Sequence, residues 1–199
     1  DRYIKRIKEG DIIAIISDAG TPLISDPGAL FVKECIKESI VVECLPGATA
    51  FLPALVGSGI NTKQFVFEGF LPLKKGRASR LKYLMEEKRT MVFYESPHRV
   101  LKTLYQFSEY FGEARNMSVS REISKLYEEV QRGSVATLIK HFENKKPKGE
   151  FVLIVEGKKL EKGDWIVVEG DNWEEDGCVV SIDAEEINMF DGKEGWTVD

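Results

Sequence analysis

The chain is poor in the residues that carry metal and thiol chemistry. Its 199 residues include two histidines and three cysteines, Cys35, Cys44 and Cys178, with no metal-ligand spacing among them. Scattered cysteines of this kind read as buried free thiols in a reducing compartment, and no metal site is expected. Long apolar runs are also missing; none approaches the roughly 18 residues of a membrane span. No signal peptide is visible at Asp1, which opens without Met in what reads as mid-helix (Tyr3, Ile4, Ile7) and points to a fragment or processed chain. Neither Gly-x-Gly-x-x-Gly nor a phosphate-binding loop ending in Lys-Ser/Thr occurs, which excludes the two common nucleotide motifs.

What is present is enough for a sizeable core: 43% of the residues are hydrophobic and 31% are charged. The net charge of -5 is unevenly spread. Of 28 basic and 33 acidic residues, 4 and 13 lie from Lys158 onward, which leaves 24 and 20 in residues 1–157. The body is thus about +4 and the tail about -9, so an acidic whole does not exclude a polyanionic partner for the body.

The stretch Ile12–Ile16 is an unbroken apolar run followed by Ser17-Asp18-Ala19-Gly20-Thr21-Pro22. This predicts a strand buried on both faces, ending in a turn of small residues. Asp26-Pro27-Gly28 then reads as a helix start, with Asp26 as N-cap. The pattern repeats: Ile40–Leu45 predicts a second strand, Pro46-Gly47-Ala48-Thr49-Ala50 a tight turn, and Phe51–Val56 a helix. Two successive strand-turn-helix units imply parallel strands whose turns share one sheet edge, where open α/β sheets bind ligands. Plain turn chemistry would explain either turn alone; the pair favours a ligand floor.

Gly57–Thr62 reads as a hinge. Beyond it, strands are expected at Gln64–Glu68, Arg89–Glu95, Met117–Arg121 and Glu150–Glu156, with helices at Ala78–Glu87, from Ser96-Pro97 to Phe111, and at Ser134–Phe142. Residues 122–133 hold a further alternating segment and a turn. Lys74, Lys75, Arg77, Arg80 and Lys82 form a basic run without an acid, either a solvated helix face or a set of phosphate contacts. Arg99, at the third predicted helical position after the N-cap Ser96, opposes the helix dipole unless it helps hold an anion or pairs with Glu95. His98 beside it is a weak proton-transfer candidate. Arg121, Glu122, Lys125, Glu128 and Glu129 alternate in sign, as strand-face salt bridges or as a polar network with a proton-handling Glu122 or Lys125.

Six blocks then occur in order: Ser-Asp-Ala-Gly-Thr-Pro-x-Ile-Ser-Asp-Pro-Gly, Leu-Pro-Gly-Ala-Thr-Ala, Phe-Glu-Gly-Phe-Leu-Pro, Phe-Tyr-Glu-Ser-Pro-His-Arg, Arg-Glu-Ile-Ser-Lys-Leu-Tyr-Glu-Glu and Lys-Gly-Glu-Phe-Val-Leu-Ile-Val-Glu-Gly. Over about Asp11–Gly157 they resemble the ribosomal RNA small subunit methyltransferase I family of the tetrapyrrole methylase superfamily. The resemblance implies an α/β, two-domain fold that binds S-adenosylmethionine (SAM) between its domains. It also implies methyl transfer to the ribose 2′-hydroxyl of a cytidine in 16S ribosomal RNA of the small subunit, in the cytoplasm, by a homodimer with no membrane association. The family's opening strand, its Pro-x-Gly-Asn loop and an acidic-Asp-Thr-Arg block have no counterpart, so the N-terminal domain is expected to be truncated.

Three regions are expected: 1–61, a remnant of the SAM-binding domain; 62–157, a second α/β domain with a mixed sheet; and 158–199, an acidic tail with short β segments at Trp165–Glu169 and Cys178–Ile182. Methyl transfer is an in-line displacement, in which positioning supplies roughly 7–11 kcal/mol and a general base about 10²–10⁴-fold. The cofactor candidates are Asp18, Ala19, Gly20, Thr21, Pro22, Gly47, Ala48 and Thr49. The catalytic candidates are Glu95, Glu122 and Lys125, and the RNA-binding candidates are Lys74, Lys75, Arg77, Arg80 and Arg99. Two other functions fit the same residues: methylation of a tetrapyrrole or other small acceptor, and a non-catalytic ligand- or RNA-binding fragment.

Overall fold

Alternating apolar residues build the centre of the molecule. In the computed structural model, which describes residues 2–159, 165, 166, 180 and 181, five strands form one mixed sheet. They are β1 (Phe65–Phe70), β2 (Thr90–Glu95), β3 (Asn116–Arg121), β4 (Glu129–Ser134) and β5 (Phe151–Val155), in spatial order β1-β2-β5-β3-β4. Only β1 and β2 run parallel; the other three pairings are antiparallel.

Each central strand splits its side chains between two faces, as the period of two requires. Met91, Phe93, Met117, Val119, Phe151, Leu153 and Val155 point to one face. There they meet α4 (Arg77–Leu84), α5 (Val100–Phe111) and α6 (Val135–Asn144). The helices present matching stripes: Val100, Leu104, Phe107 and Phe111 on α5, and Val135, Leu138, Ile139 and Phe142 on α6. Ser134 caps α6, its hydroxyl accepting from the Thr137 amide at 3.3 Å. Val92, Val152 and Ile154 point to the opposite face, against Ala54 and Leu55 of α3 (Phe51–Gly57). Arg132 Nε of β4 donates to the Gly57 carbonyl at 2.8 Å and ties the end of α3 to the far side of the sheet.

The first sixty residues depart from expectation. Two short helices, α1 (Arg2–Lys8) and α2 (Ala29–Lys37), form, but residues 12–16 and 40–45 are not strands. Ile12 is 99% exposed and Val41 84%. A strand persists only when a neighbour completes its ladder, and neither segment has one among the described residues. Cys44, expected to be buried, is exposed for the same reason, whereas Cys35 is buried in α2. Asp26 is not an N-cap: α2 starts after Gly28, without a side-chain cap. Ser96 is not one either, because residues 97–99 make a turn and α5 starts at Val100 behind Arg99. In both places the Pro-containing turn runs on for two or three residues before the helix takes hold.

The chain divides into two compact units, Asp1–Gly157 and Lys158–Asp199. Of the second, Trp165–Ile166 pairs antiparallel with Val180–Ser181, inside the two β segments expected there. The rest of the tail, Cys178 included, lies outside the described residues.

Candidate functional site

The two small-residue turns meet although their leading segments are not strands. Thr21 Oγ1 donates to the Ala48 carbonyl at 3.0 Å. Gly20 adopts φ +75°, and a Cβ there would stand 3.4 Å from the same carbonyl. A Cβ on Gly47 would lie 3.4 Å from Thr21 Oγ1. Ser17 Oγ bonds back to the Gly20 carbonyl at 2.9 Å and closes the first turn on itself. Asp18, Ala19, Gly20, Gly47 and Ala48 are exposed, and Thr21, Pro22 and Thr49 are half-buried. The result is a rim of small side chains and open backbone groups in which the two turns lie within van der Waals reach of each other.

The first loop also touches the sheet. Leu23 and Ser25 hold φ of +71° and +61°, values costly for residues with a side chain. Ser25 Oγ would sit 2.8 Å from a Cβ on Gly69, which adopts φ +59° at an irregularity in β1. Glycine at 69 thus allows the loop to approach β1 at the point where its pairing with β2 slips.

The basic run divides into buried and exposed members. Arg77 is buried and is no RNA contact. Its guanidinium donates to Gln106 at 2.7 Å, Thr103 at 2.7 Å and the Pro72 carbonyl at 3.2 Å, and stands 3.6 Å from Glu95. Burial lowers its pKa, with Glu95 acting in the opposite sense. The reason is the helix period: Arg77, Leu81 and Leu84 lie on one stripe of α4 facing the core, a spacing visible in the sequence. Arg99 is the second cation on Glu95, 2.9 Å away, the pairing expected as the structural alternative to an anion site, while its buried Nη1 has no hydrogen-bond partner among the described residues. Arg80 forms a fork to Glu68 at 2.8 and 2.6 Å and lies over the Tyr83 ring at 4.9 Å. Lys74 and Lys75 are exposed on the loop before α4. Nothing in the sequence pairs Glu68 with Arg80.

Glu95 is not placed to act as a base. It is 3% exposed, and its oxygens accept from the Ser96 amide at 2.8 Å and Thr103 Oγ1 at 2.7 Å besides the two arginines. Glu122 and Lys125 sit together after β3, in a loop where Glu122 and Ser124 both adopt positive φ. Lys125 Nζ donates to Glu150 at 3.0 Å and to Glu122 at 3.1 Å. These bonds, the one to Glu150 first, raise the Lys125 pKa and keep it an ammonium rather than a free base. Glu122 is held below the usual carboxylate range, by the Glu150 amide first and then by Lys125. Glu129, which the sequence left among paired charges, collects Lys145 at 2.6 Å, Gln131 at 3.0 Å and Arg121 at 3.2 Å. His98 is exposed in the turn before α5.

The sequence model of the family Tetrapyrrole (Corrin/Porphyrin) Methylases matches residues 1–139. The chain belongs to this family. Among similar proteins is Ribosomal RNA small subunit methyltransferase I of Thermotoga maritima, 47% identical over 153 residues, with 77% of this chain and 68% of that one covered. The Synechocystis protein of the same name is 44% identical, with 77% and 56% covered. The chain thus spans about two thirds of the first relative and little more than half of the second. The methyltransferase CobJ superposes with a TM-score of 0.59 at 16% identity, over 82% of this chain and 72% of that one. Uroporphyrin-III C-methyl transferase from Thermus thermophilus, complexed with S-adenyl homocysteine, gives 0.54 at 15% identity, over 78% and 70%. At such identities these structures bear on the fold, which is that of the tetrapyrrole methylases.

Proposed function

We propose that the chain carries the working core of a SAM-dependent methyltransferase. Its substrate in this reading is the ribose 2′-hydroxyl of a cytidine in the 16S RNA of the small ribosomal subunit. The observation that carries the reading is the meeting of residues 18–22 with 47–49 beside the β1 irregularity. Gly20 holds φ +75°, which a residue with a side chain adopts only at a cost, and a Cβ at Gly20 or Gly47 would stand in van der Waals contact with the facing turn, so the two turns meet closely with backbone groups open to a ligand. The names of the relatives at 44–47% identity supply the acceptor class.

In this proposal residues 1–61 and 62–157 are the two lobes of the site. The exposed backbone of Asp18–Pro22 and Gly47–Thr49 holds the cofactor, which supplies an electrophilic methyl group on a sulfonium. Lys125, kept cationic by Glu150 and Glu122, steadies the negative charge that develops on the ribose oxygen, whose proton passes to solvent water. Glu122 orients that ammonium. Exposed Lys74 and Lys75 meet the RNA backbone, and the outer edge of Arg80 faces the RNA beside them. The resemblance further implies a homodimer in the cytoplasm, and sedimentation checks the first.

Isothermal titration with S-adenosylhomocysteine tests the core of the reading. Saturable binding that is lost in Gly20→Val is the expected result. Absence of binding by the folded protein would overturn it and favour the non-catalytic alternative. Given binding, Lys125→Ala is expected to cut methyl transfer to small ribosomal subunits by about 10²-fold or more; an unchanged rate removes Lys125 from the mechanism.

A further inference from the structure

A cleft of about 560 Å³ lies between the end of β1 and the first turns of α4. That is within the size range of small-molecule sites, roughly 300–1,000 Å³. Its walls include Glu68, Phe70, Ser79, Arg80 and Tyr83. Phe70 and Tyr83 are large exposed aromatics, at 51% and 67%. Arg80 is pinned: its Nε and Nη2 are spent on Glu68, whose own side chain is 9% exposed, while its guanidinium lies over Tyr83. Nη1 stands outside that fork and keeps its two hydrogens for a ligand acceptor. Lys74 and Lys75 are exposed in the short loop between Pro72 and Gly76, two residues of the cleft wall.

Flat rings, a fixed planar cation, a hydroxyl and two exposed ammonium groups in the adjoining loop match one ligand chemistry. Unpaired bases stack on aromatic and guanidinium planes, while lysines take the phosphates as point charges. We infer that this cleft seats the base of an unpaired RNA nucleotide, stacked against Tyr83 and bonded by Arg80, with its phosphates on Lys74 and Lys75. The inference deepens the proposed function and rests on its RNA substrate. Phe70 directly follows Gly69, the residue that abuts Ser25 of the first loop. The seat therefore adjoins the loop that carries the cofactor candidates, where a nucleotide flanking the methylated one would fall.

The test is binding of a short, fluorescein-labelled, mixed-sequence single-stranded RNA, with the same sequence as a duplex for comparison. Tyr83→Ala is expected to weaken single-strand affinity about tenfold, within the range for loss of one stacked base, and Tyr83→Phe to leave it near wild type. K74A/K75A is expected to lower the slope of log affinity against log salt by about 1.4, at 0.7 per phosphate contact on a single strand. Affinity for S-adenosylhomocysteine should not change in any of the three, which also checks that they fold. Unchanged RNA affinity in Tyr83→Ala overturns the seat, leaving charge alone to hold the RNA. Wild-type protein that binds S-adenosylhomocysteine but no single-stranded RNA also overturns it while the cofactor reading stands. Tyr83-dependent RNA binding without cofactor binding keeps the seat and removes the methylase reading.

Discussion

At Glu95 a backbone amide, a threonine hydroxyl and two guanidinium groups converge on one carboxylate at the foot of β2. The cluster is buried and carries two positive charges against one negative. Removing Arg77 leaves Glu95 paired with Arg99 but strips hydrogen bonds from Gln106, Thr103 and the Pro72 carbonyl, at typically about 1–3 kcal/mol for a buried group left unsatisfied. Arg77→Met is therefore expected to lower unfolding stability by about 1–3 kcal/mol in urea titrations while leaving RNA affinity untouched. Loss of RNA affinity with intact stability would return Arg77 to the RNA surface. The other carboxylate hub sets a pH limit. Lys145 first, then Gln131 and Arg121, hold Glu129 at a pKa of about 2, against the ordinary 4.5, while desolvation opposes them. A depressed carboxylate pKa stabilises the fold fully above about 4.5, and that stability drains as pH falls from there toward about 2. Glu129→Gln should therefore flatten the acid limb of a stability-versus-pH curve over that window and cost stability at pH 7.

Among the elements, α5 shows most directly how pattern becomes packing. Val100, Leu104, Phe107 and Phe111 recur at helical spacing and are all buried; Phe107 stacks between Phe93 at 5.1 Å and Phe111 at 5.0 Å. Phe107→Ala should cost about 3–5 kcal/mol, a void in a core with rings on both sides, read as a lower midpoint in thermal or urea unfolding. Strands β2 and β5 were equally legible, because near-continuous apolar runs match a sheet covered on both faces, and β3 was legible by its alternation of Met117 and Val119 with serines. The starts of α3 and α6 fell where expected, but two others did not. Ser96-Pro97 and Asp26-Pro27 carry the right residues for a cap, yet in each case the turn continues and the helix starts later. The basic run before and within α4 was legible as charge but not as geometry. Counting Arg77 with Leu81 and Leu84 would have put it inside; no local signal marks Arg80 as the partner of Glu68.

For the molecule as a whole, the sheet after residue 62 could be read from its apolar periods, while the arrangement before it could not. Ile12–Ile16 and Ile40–Leu45 have the composition of buried strands, but composition does not supply a neighbour to pair with. What survived was the meeting of their turns, because Thr21 reaches Ala48 directly and needs no ladder. Gly69 couples that loop to the sheet, so its effect is felt across the fold. Gly69→Ala, at φ +59° and 2.8 Å from Ser25 Oγ, should cost about 1–2 kcal/mol of stability. It should also weaken S-adenosylhomocysteine binding in titration, since the loop must shift.

That same irregularity acts at the border of the sheet. β1 is an outermost strand, and a straight one would offer stray chains a row of open amides and carbonyls. Its register with β2 shifts between Phe67 and Gly69, so the regular ladder is interrupted at Glu68 before it resumes. An incoming segment could zip along only half of this margin before its bonds fell out of step, which guards the protein against growing into fibrils from that side.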